Sequence, residues 1–220
     1  MATFISVERP IDQSEKAFRV LKEMILSGEI PQGEALSILL LSEQLQIGRT
    51  PLTNACKRLE FEGLVRVIPK QGVWVNTLSI DDAREIYEAR AAIETFFARK
   101  AFESLTDEDV SALKASIEQQ ADFGEKKDHY RYMEEDTFFH RFFMERYDNQ
   151  ILTEMYERLI NRIFMFGIKS SSSEARFRSA IREHHEIVRC LEEKDQPGLV
   201  KAVEQHIMNG YICLTGAYKV

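Results

Sequence analysis

Four residues that can bind metal ions fall on the apolar faces of predicted helices in the C-terminal part of the chain. Asp136 and His140 lie one helical turn apart, and His184 and His206 align with aliphatic residues of two later helices. A single histidine on such a face is usually a hydrogen-bonded core residue. Three imidazoles and a carboxylate in one core instead suit zinc, nickel, iron or manganese. We therefore predict that these four residues bind a divalent transition metal, with zinc as the first candidate.

The two remaining histidines, His129 and His185, lie off these faces, and we expect both to be exposed. A buried arginine is predicted nearby, because Arg90 shares a helical face with aliphatic and aromatic residues and Glu94 follows one turn later. A buried guanidinium needs a partner. Arg90 either forms an internal ion pair with Glu94 or clamps the carboxylate of a bound effector, which its planar fork suits. Arg90 and Glu94 are the candidate effector-binding residues.

The elements that must position these residues are six predicted helices. Strand signals stop near residue 79, and helical periodicity is then interrupted at capping residues, at Gly124, at the serine patch Ser170–Ser173 and at Pro197. We expect an all-α six-helix bundle over residues 79–220. Its helices are predicted near residues 80–103, 106–122, 127–146, 149–168, 174–193 and 196–217, and residues 76–80 are the predicted linker.

Residues 1–78 have a different pattern, which predicts a separate domain. Asp12 and Glu15 can form a capping box for a first helix, and a second short helix follows a turn. A third helix is expected to begin with Thr50 as N-cap and Pro51 as its first residue, and to end at Gly63.

A basic hairpin follows this third helix. Its strands are expected at Leu64–Pro69 and Val73–Thr77, joined at Lys70-Gln71-Gly72. Three helices and a hairpin predict a winged helix-turn-helix, which places one helix in the major groove and the wing on the neighbouring backbone. The alternative is a capped helix packed on a hairpin without a partner. The candidate DNA-binding residues are Arg49, Thr50, Thr53, Lys57, Lys70, Gln71 and Gly72.

Residues 20–75 resemble the DNA-binding domain of the GntR family of bacterial transcription regulators. The shared features are the ILSGEIPQG turn, the RTP start of the third helix, the LEFEGLV helix exit and the wing glycine. The helical region resembles the FCD ligand-binding domain of the FadR-like branch, including its metal-binding pattern, here Asp136 with His140, Glu183-His184 and His206. The resemblance implies a homodimer that binds palindromic operator DNA and responds to a small organic acid.

Two stretches depart from the family pattern. Members usually carry a second arginine one turn into the third helix, where this chain has Thr53, and a glutamate beside it, where this chain has Asn54. The second helix begins Ser37-Ile38-Leu39-Leu40 rather than Ser-Glu-Arg-Glu. An arginine on a guanine edge is the commonest specific base contact. These changes therefore predict an altered operator sequence and a lower affinity for each half-site.

Composition limits the functional classes. The net charge of −7 argues against non-specific coating of nucleic acid, and the excess lies in the helical region because the first 78 residues hold nine basic and nine acidic residues. Cys56, Cys190 and Cys213 fall in apolar helical patterns, which predicts reduced core residues. The chain shows neither a signal-peptide pattern nor an apolar run of membrane-spanning length, so a cytoplasmic protein with no membrane partner is expected.

These features together predict a metal-containing, carboxylate-responsive transcription regulator, with repression as the expected action, and not an enzyme. We find no general base placed beside the metal set, no nucleophile motif and no glycine-rich phosphate loop. Three alternatives remain at this point: a metal sensor without an organic effector, a structural metal with regulation through Arg90, and a metal-dependent hydrolase or isomerase with an accessory DNA-binding domain.

Overall fold

The computed structural model describes residues 12–216, and the chain divides into two compact units between Thr77 and Leu78. The predicted fold class is confirmed, because a small winged helix-turn-helix precedes an all-helical unit. Among the described residues, no helix combines the length and the apolar character needed to span a membrane.

The N-terminal unit contains three helices and a small antiparallel sheet. The helices are α1 (Gln13–Leu26), α2 (Ile38–Leu45) and α3 (Arg49–Phe61), and the strands are β1 (Ala35–Leu36), β2 (Val65–Ile68) and β3 (Gly72–Val75). The strand order is β1-β3-β2. Strand β1, which pairs Ala35 with Trp74, was not predicted, because two residues are too few for a periodic signal.

A compact core holds this unit together. The apolar positions of α3 point inward, with Leu52, Ala55, Cys56 and Leu59 all buried as the helical spacing predicts. Helix α1 packs against α3 and contributes Leu21, which is fully buried. The opposite face of α3 is left exposed, and Arg49, Thr53 and Lys57 lie on it.

Two predicted helix starts are wrong in detail. Helix α3 begins at Arg49 with Gly48 as N-cap, since Gly48 accepts the first helical bond from the Leu52 N–H at 3.2 Å. Pro51 still fits, because the N–H groups of the first turn have no helical partner and its missing donor costs nothing. Thr50 therefore lies inside the helix.

The capping box at α1 is also absent. Asp12 caps the helix by accepting a bond from the Ser14 N–H at 3.0 Å, but Glu15 turns to Arg19 and Arg58, at 2.8 and 2.6 Å. Glu15 instead links α1 to α3, because a guanidinium is a stronger partner for a carboxylate than the backbone N–H of the cap.

The wing is tied to helix α3. A turn closes with a bond of 3.0 Å from the Gln71 N–H to the Ile68 carbonyl, and Lys70 has a φ of 64° in the left-handed region. Strand β2 forms an edge of the sheet, and the Val67 N–H on it donates to Glu60 Oε1 of α3 at 2.8 Å. A side chain of the helix thus satisfies a backbone donor of the wing.

The C-terminal unit contains six helices joined by short connections. Ser79 with Asp82 and Thr106 with Asp109 form capping boxes that fix the first two helix starts. A short 3₁₀ turn, Phe102–Ser104, follows the first helix. The helices are α4 (Ile80–Ala101), α5 (Asp107–Glu125), α6 (His129–Arg146), α7 (Gln150–Ser171), α8 (Glu174–Glu192) and α9 (Gln196–Leu214).

Two expected breaks lie inside helices. Gly124 belongs to α5, where the Phe177 ring packs so closely that a Cβ atom would overlap it. Helix α7 runs through Ser170 and Ser171, whose hydroxyls bond to the carbonyls of Gly167 and Ile168 in the same helix, so only the end of the serine patch is a loop.

The core of this unit surrounds helix α4, which packs against α6, α7 and α9. Phe97, Phe139, Tyr156 and Ile187 are fully buried there. The cysteines only partly follow the prediction, because Cys56 and Cys190 are buried but Cys213 is half-buried. Cys213 lies in the last turn of α9, where all the neighbouring residues are also half-buried at the edge of the bundle.

Candidate metal centre and nucleic-acid interface

The structure brings the four predicted metal ligands together in the core of the helical unit. Asp136, His140, His184 and His206 are buried, and each offers one ligand atom within 4.8 Å of the others. The Nε2 atoms of the three histidines are separated by 3.1, 3.3 and 3.3 Å. Asp136 Oδ1 lies 3.6 Å from His184 Nε2 and 3.9 Å from His140 Nε2.

The other nitrogen of each imidazole has an acceptor of its own. The contacts are His140 Nδ1 to Glu94 Oε2 at 2.7 Å, His184 Nδ1 to Gln120 Oε1 at 2.8 Å and His206 Nδ1 to Glu183 Oε2 at 2.8 Å. Each acceptor favours a proton on Nδ1, so a neutral ring presents the lone pair of Nε2. Three lone pairs then face one another, which a cation between them would stabilise. Such outer partners are typical of metal-binding histidines.

The spacing of the donors fits a transition metal. Metal–nitrogen bonds of about 2.0–2.1 Å place two ligand nitrogens about 2.9 Å apart at a right angle and about 3.4 Å apart at a tetrahedral angle. The three observed separations lie in this range. Burial, followed by the neighbouring imidazoles, holds the pKa values of His184 and His206 well below their usual range. This favours the neutral form of these two rings, as metal ligation requires.

The buried ion pair between Arg90 and Glu94 is present. Arg90 Nε lies 2.6 Å from Glu94 Oε1, which also accepts a bond from the Tyr156 hydroxyl at 2.8 Å. Burial alone would raise the pKa of Glu94, but Arg90 and His140 outweigh it and lower the pKa to about 2. The same guanidinium also points toward the ligand set, because Arg90 Nη2 lies 3.9 Å from Asp136 Oδ2.

A small polar cavity of about 30 Å³ lies beside this set and is called here the inner cavity. Arg90, Asp136, Arg176 and His206 are among its lining residues. Arg176 is buried, with Nη1 2.9 Å from Glu183 Oε2 and Nη2 3.3 Å from the His206 carbonyl oxygen. Two guanidinium groups therefore border the space next to the candidate metal ligands.

Sequence reasoning missed two residues of the centre, Arg176 and Gln120. Arg176 lies one and two helical turns before Ala180 and His184, and Gln120 lies one turn after Ser116 on the buried face of α5. Both positions satisfy the face criterion that identified the histidines. That criterion, applied to every polar residue type, would have found them.

The two remaining histidines differ from each other. His185 is exposed as predicted, whereas His129 is half-buried and lies 3.3 Å from the Ser171 hydroxyl through its Nδ1. The prediction for His129 is wrong because the first turn of α6 packs beside the end of α7.

The candidate DNA-binding residues all lie on the surface of the N-terminal unit. Within residues 12–216, Arg49, Lys57 and Lys70 form no ion pair, whereas Lys22 pairs with Glu62 at 2.8 Å. The Thr53 hydroxyl donates to the Arg49 carbonyl of its own helix at 2.9 Å. The unpaired cations of α3 and the wing are therefore available to phosphate or base edges.

Arg66 is a further exposed cation that the sequence reasoning did not select. It lies on β2 in register with Trp74 of β3, and it forms no ion pair inside the described part of the chain. It projects from the wing strand and adds to the positive charge of Lys70. A search for basic residues at exposed strand positions would have found it.

Comparison with known proteins agrees with both units. Residues 13–75 match the family described as bacterial regulatory proteins, gntR family, and residues 85–209 match the FCD domain. The HTH-type transcriptional repressor RspR of Escherichia coli K12 is 26% identical over 205 residues, covering 93% of this chain and 89% of that protein. The gluconate operon transcriptional repressor of Bacillus licheniformis is 23% identical and covers 90% of this chain and 85% of that protein.

A solved structure shows the same fold. The structure of E. coli McbR/YncC superposes with a TM-score of 0.80 at 24% identity, covering 96% of this chain and all of that one. The relatives named above are transcription regulators, which is a non-enzymatic role. With a GntR winged helix-turn-helix in its N-terminal unit and an FCD domain over more than half of its length, this chain belongs to the GntR family of bacterial transcription regulators.

Proposed function

We propose that this regulator binds a divalent transition metal through Asp136, His140, His184 and His206, with zinc as the first candidate and nickel, manganese and iron as alternatives. The observation that carries the proposal is the convergence of three buried Nε2 atoms whose rings are each held from the Nδ1 side. Four ligands leave positions open on an octahedral ion, so a bound metal would supply positive charge that a carboxylate can meet.

The proposed effector is a small organic acid whose carboxylate binds beside the metal and Arg90. Glu94 holds the Arg90 Nε atom and leaves an Nη atom directed at the inner cavity. Arg176 borders the same space, so the two guanidinium groups and a bound divalent metal would together outweigh the carboxylates of Asp136, Glu94 and Glu183. A planar guanidinium also suits a carboxylate by its geometry.

The proposed biological action is repression from a palindromic operator, bound by a homodimer. Two relatives carry the word repressor in their names, and a dimer of winged units suits a two-fold symmetric site. Arg49, Thr50, Thr53 and Lys57 would face the major groove, and Lys70, Gln71 and Gly72 would lie on the backbone. The acid can change operator affinity only if it favours one arrangement of the two winged units over another.

The metal is tested by elemental analysis of the purified protein and of two adjacent variants. We expect close to one transition metal per chain, loss of it in His184→Ala, and retention in His185→Ala. The two histidines are neighbours in sequence, but only His184 faces the centre. Equal retention in both variants would remove His184 from the ligand set.

The effector is tested by calorimetric titration of organic acids into metal-loaded protein, together with operator binding in the four combinations of metal and acid. Arg90→Lys keeps the charge and removes the planar guanidinium. It should therefore weaken binding of the organic acid while the metal content stays unchanged. A coupling of about 1–3 kcal/mol between acid and operator would be ordinary.

A metal sensor without an organic effector is the second candidate. The ion pair between Arg90 and Glu94 favours it, because this pair satisfies part of the guanidinium without a ligand. Operator binding that responds to metal alone, with no acid bound in calorimetry, would support this alternative over the carboxylate effector.

A further inference from the structure

One line of side chains on α3 points directly away from the core of the winged unit. Successive residues of an α-helix are rotated by about 100°, and the four buried apolar residues of α3 define the inward direction. The positions on the opposite side are all exposed, and they are Thr50, Asn54, Lys57 and Phe61. These four residues are called here the outer ridge. A surface that receives α3 meets the outer ridge first.

Asn54 lies in the middle of this ridge without helping the helix to fold. It is in the interior of α3, where asparagine is a poorer helix former than alanine. Its side-chain amide forms no hydrogen bond with any other residue in the described range 12–216. The helix therefore gains nothing from this residue, and the amide is available to a partner outside the chain.

The polar side chains beside Asn54 on the helix are already engaged. The Thr53 hydroxyl donates to the Arg49 carbonyl at 2.9 Å, and the Arg58 guanidinium lies 2.6 Å from Glu15 Oε2 of α1. Lys57 offers an ammonium group, which is a point charge without a fixed pattern of donors and acceptors. Asn54 is therefore the residue of the outer ridge that presents a donor and an acceptor side by side in a planar group.

The amide of asparagine matches one base in the major groove. Adenine presents the N7 acceptor beside the N6 amino donor, so the Asn54 Nδ2 group can donate to N7 while Oδ1 accepts from N6. Guanine presents two acceptors, cytosine one donor, and thymine one acceptor beside a methyl group. Only adenine pairs with both groups of the amide at once.

The position of Asn54 along α3 also suits contact with a base. Residues near the N-terminus of such a helix contact base edges in helix-turn-helix proteins. At a rise of 1.5 Å per residue, Asn54 lies about 6 Å beyond Thr50 and about 10 Å before Phe61. A short side chain needs a close approach, which the centre of an exposed ridge allows.

We propose that Asn54 is a specificity-determining residue of this regulator and binds the N6 and N7 atoms of one adenine in each half of the operator. The proposal rests on the proposed placement of α3 in the major groove. It assigns Asn54 the choice of one base, whereas Lys57, which is on the same ridge, adds positive charge that favours every DNA sequence.

The test begins with selection of operator sequences from random double-stranded DNA by the full-length protein and by Asn54→Ala. Each position of the selected half-site is then substituted symmetrically, and the Kd values are measured by fluorescence anisotropy. We expect one position at which the parent prefers adenine by about fivefold or more over each other base. In Asn54→Ala the preference at that position should fall below about twofold, and the other positions should keep theirs.

Base analogues at that position identify the atoms. 7-Deazaadenine lacks the N7 acceptor, and purine lacks the N6 amino group. Each should weaken binding by the parent several-fold and have a much smaller effect on Asn54→Ala, because the variant has no amide to lose a partner. Asn54→Gln keeps the amide and should keep adenine as the preferred base.

Two controls exclude a general effect of the substitution. Urea unfolding of Asn54→Ala should give an unchanged or slightly higher midpoint, because alanine is the better helix former. Gln119→Ala removes another exposed amide from the interior of a helix, α5 of the other unit, and should leave both the affinity and the base preferences unchanged.

The outcomes separate this proposal from the proposed function. If Lys57→Ala weakens DNA binding while Asn54→Ala keeps every base preference, α3 contacts DNA but Asn54 reads no base. An equal loss for all sequences in Asn54→Ala, or a relaxed preference at a position where the parent does not prefer adenine, also overturns the assignment. If Arg49→Ala, Lys57→Ala and Asn54→Ala all bind operator as the parent does, the placement of α3 fails and this proposal fails with it.

Discussion

The two units place their candidate functional groups in opposite environments. In the winged unit, Arg49 and Lys70 are exposed and have no ion-pair partner among the described residues, whereas in the helical unit Arg90 and Glu94 are buried and bonded to each other. Exposed groups can be removed at little cost in folding stability. Buried charges cannot, because the remaining partner is left without water or a counter-charge. Function and stability should therefore be separable in the first unit and coupled in the second.

The largest effect is expected at the buried ion pair. Glu94→Ala should lower the free energy of unfolding by about 3–5 kcal/mol, because Arg90 would remain buried without its main partner. Glu88→Ala removes the acid of a pair with the same spacing on the same helix, and should change stability by no more than about 0.5 kcal/mol. Side chains of the first pair are 5% and 3% exposed, against 49% and 57% for Arg84 and Glu88. Urea unfolding of metal-free protein measures both, and equal losses would contradict the comparison.

A bound metal should raise the free energy of unfolding, and this gain should be lost at low pH. A metal at a hundredfold excess over its Kd stabilises the folded state by about 2.7 kcal/mol. Protons compete for the same imidazole nitrogens, and burial keeps the pKa values of His184 and His206 low, so these rings stay neutral at neutral pH. In the unfolded chain the same histidines take up protons near their ordinary pKa, so we expect metal content to be constant near neutrality and to fall below about pH 6. Thermal unfolding across this range, with and without a chelator, is the measurement; a gain that persists at about pH 4 would contradict imidazole ligation.

Arg49→Ala should cost about 1–3 kcal/mol of specific operator binding and leave unfolding unchanged. Arg58→Ala on the same helix should instead lower the free energy of unfolding and leave specific operator binding unchanged. Arg58 pairs with Glu15 at 2.6 Å and stacks over the Phe18 ring at 3.8 Å, so it joins α3 to α1. Fluorescence anisotropy on operator DNA and urea unfolding of both variants distinguish the roles. If Arg49→Ala binds operator as the parent does, the recognition surface lies elsewhere.

The smallest effect is expected at the wing. Lys70→Ala should weaken all DNA sequences similarly and flatten the salt dependence of log Kobs by about one unit. Alanine is a better replacement than glycine because it keeps a Cβ at the left-handed φ of 64°. The conformational preference of the turn is then unchanged, and only the charge is removed. Arg19→Ala, whose side chain pairs with Glu15 on α1, is the control and should leave the slope unchanged.

Sequence reasoning correctly predicted which side chains are buried where a residue and its helical face decide the outcome, while metal binding by these residues stays a prediction. Asp136, His140, His184 and His206 were identified because each is a polar residue in an apolar stripe, and the structure brings all four together. The pairing of each Nδ1 atom could not be predicted, since the partners come from other helices and depend on how those helices cross.

Short elements and the first residues of helices were harder to predict from the sequence. The two-residue strand β1 exists because it pairs with β3, and nothing in its own sequence requires that. Helix α3 starts at Arg49 and not at Pro51 as predicted, because both Gly48 and Thr50 could serve as the N-cap and the sequence alone does not distinguish them. The size of the inner cavity was likewise beyond reach, because it depends on the side chains of Tyr87 and Met133, which fill the space over Gly210 and Gly167.

The bond from the Val67 N–H to Glu60 has a consequence for solubility. An edge strand with free backbone donors is a template on which strands of other molecules can add, and this is a common route to aggregation. On β2, Glu60 occupies the Val67 donor, Arg66 places a charge beside it, and Pro69 follows the strand with no N–H to offer. The wing can therefore stay exposed for contact with DNA, and strands of other copies of the chain are disfavoured from pairing with its edge even at high protein concentration.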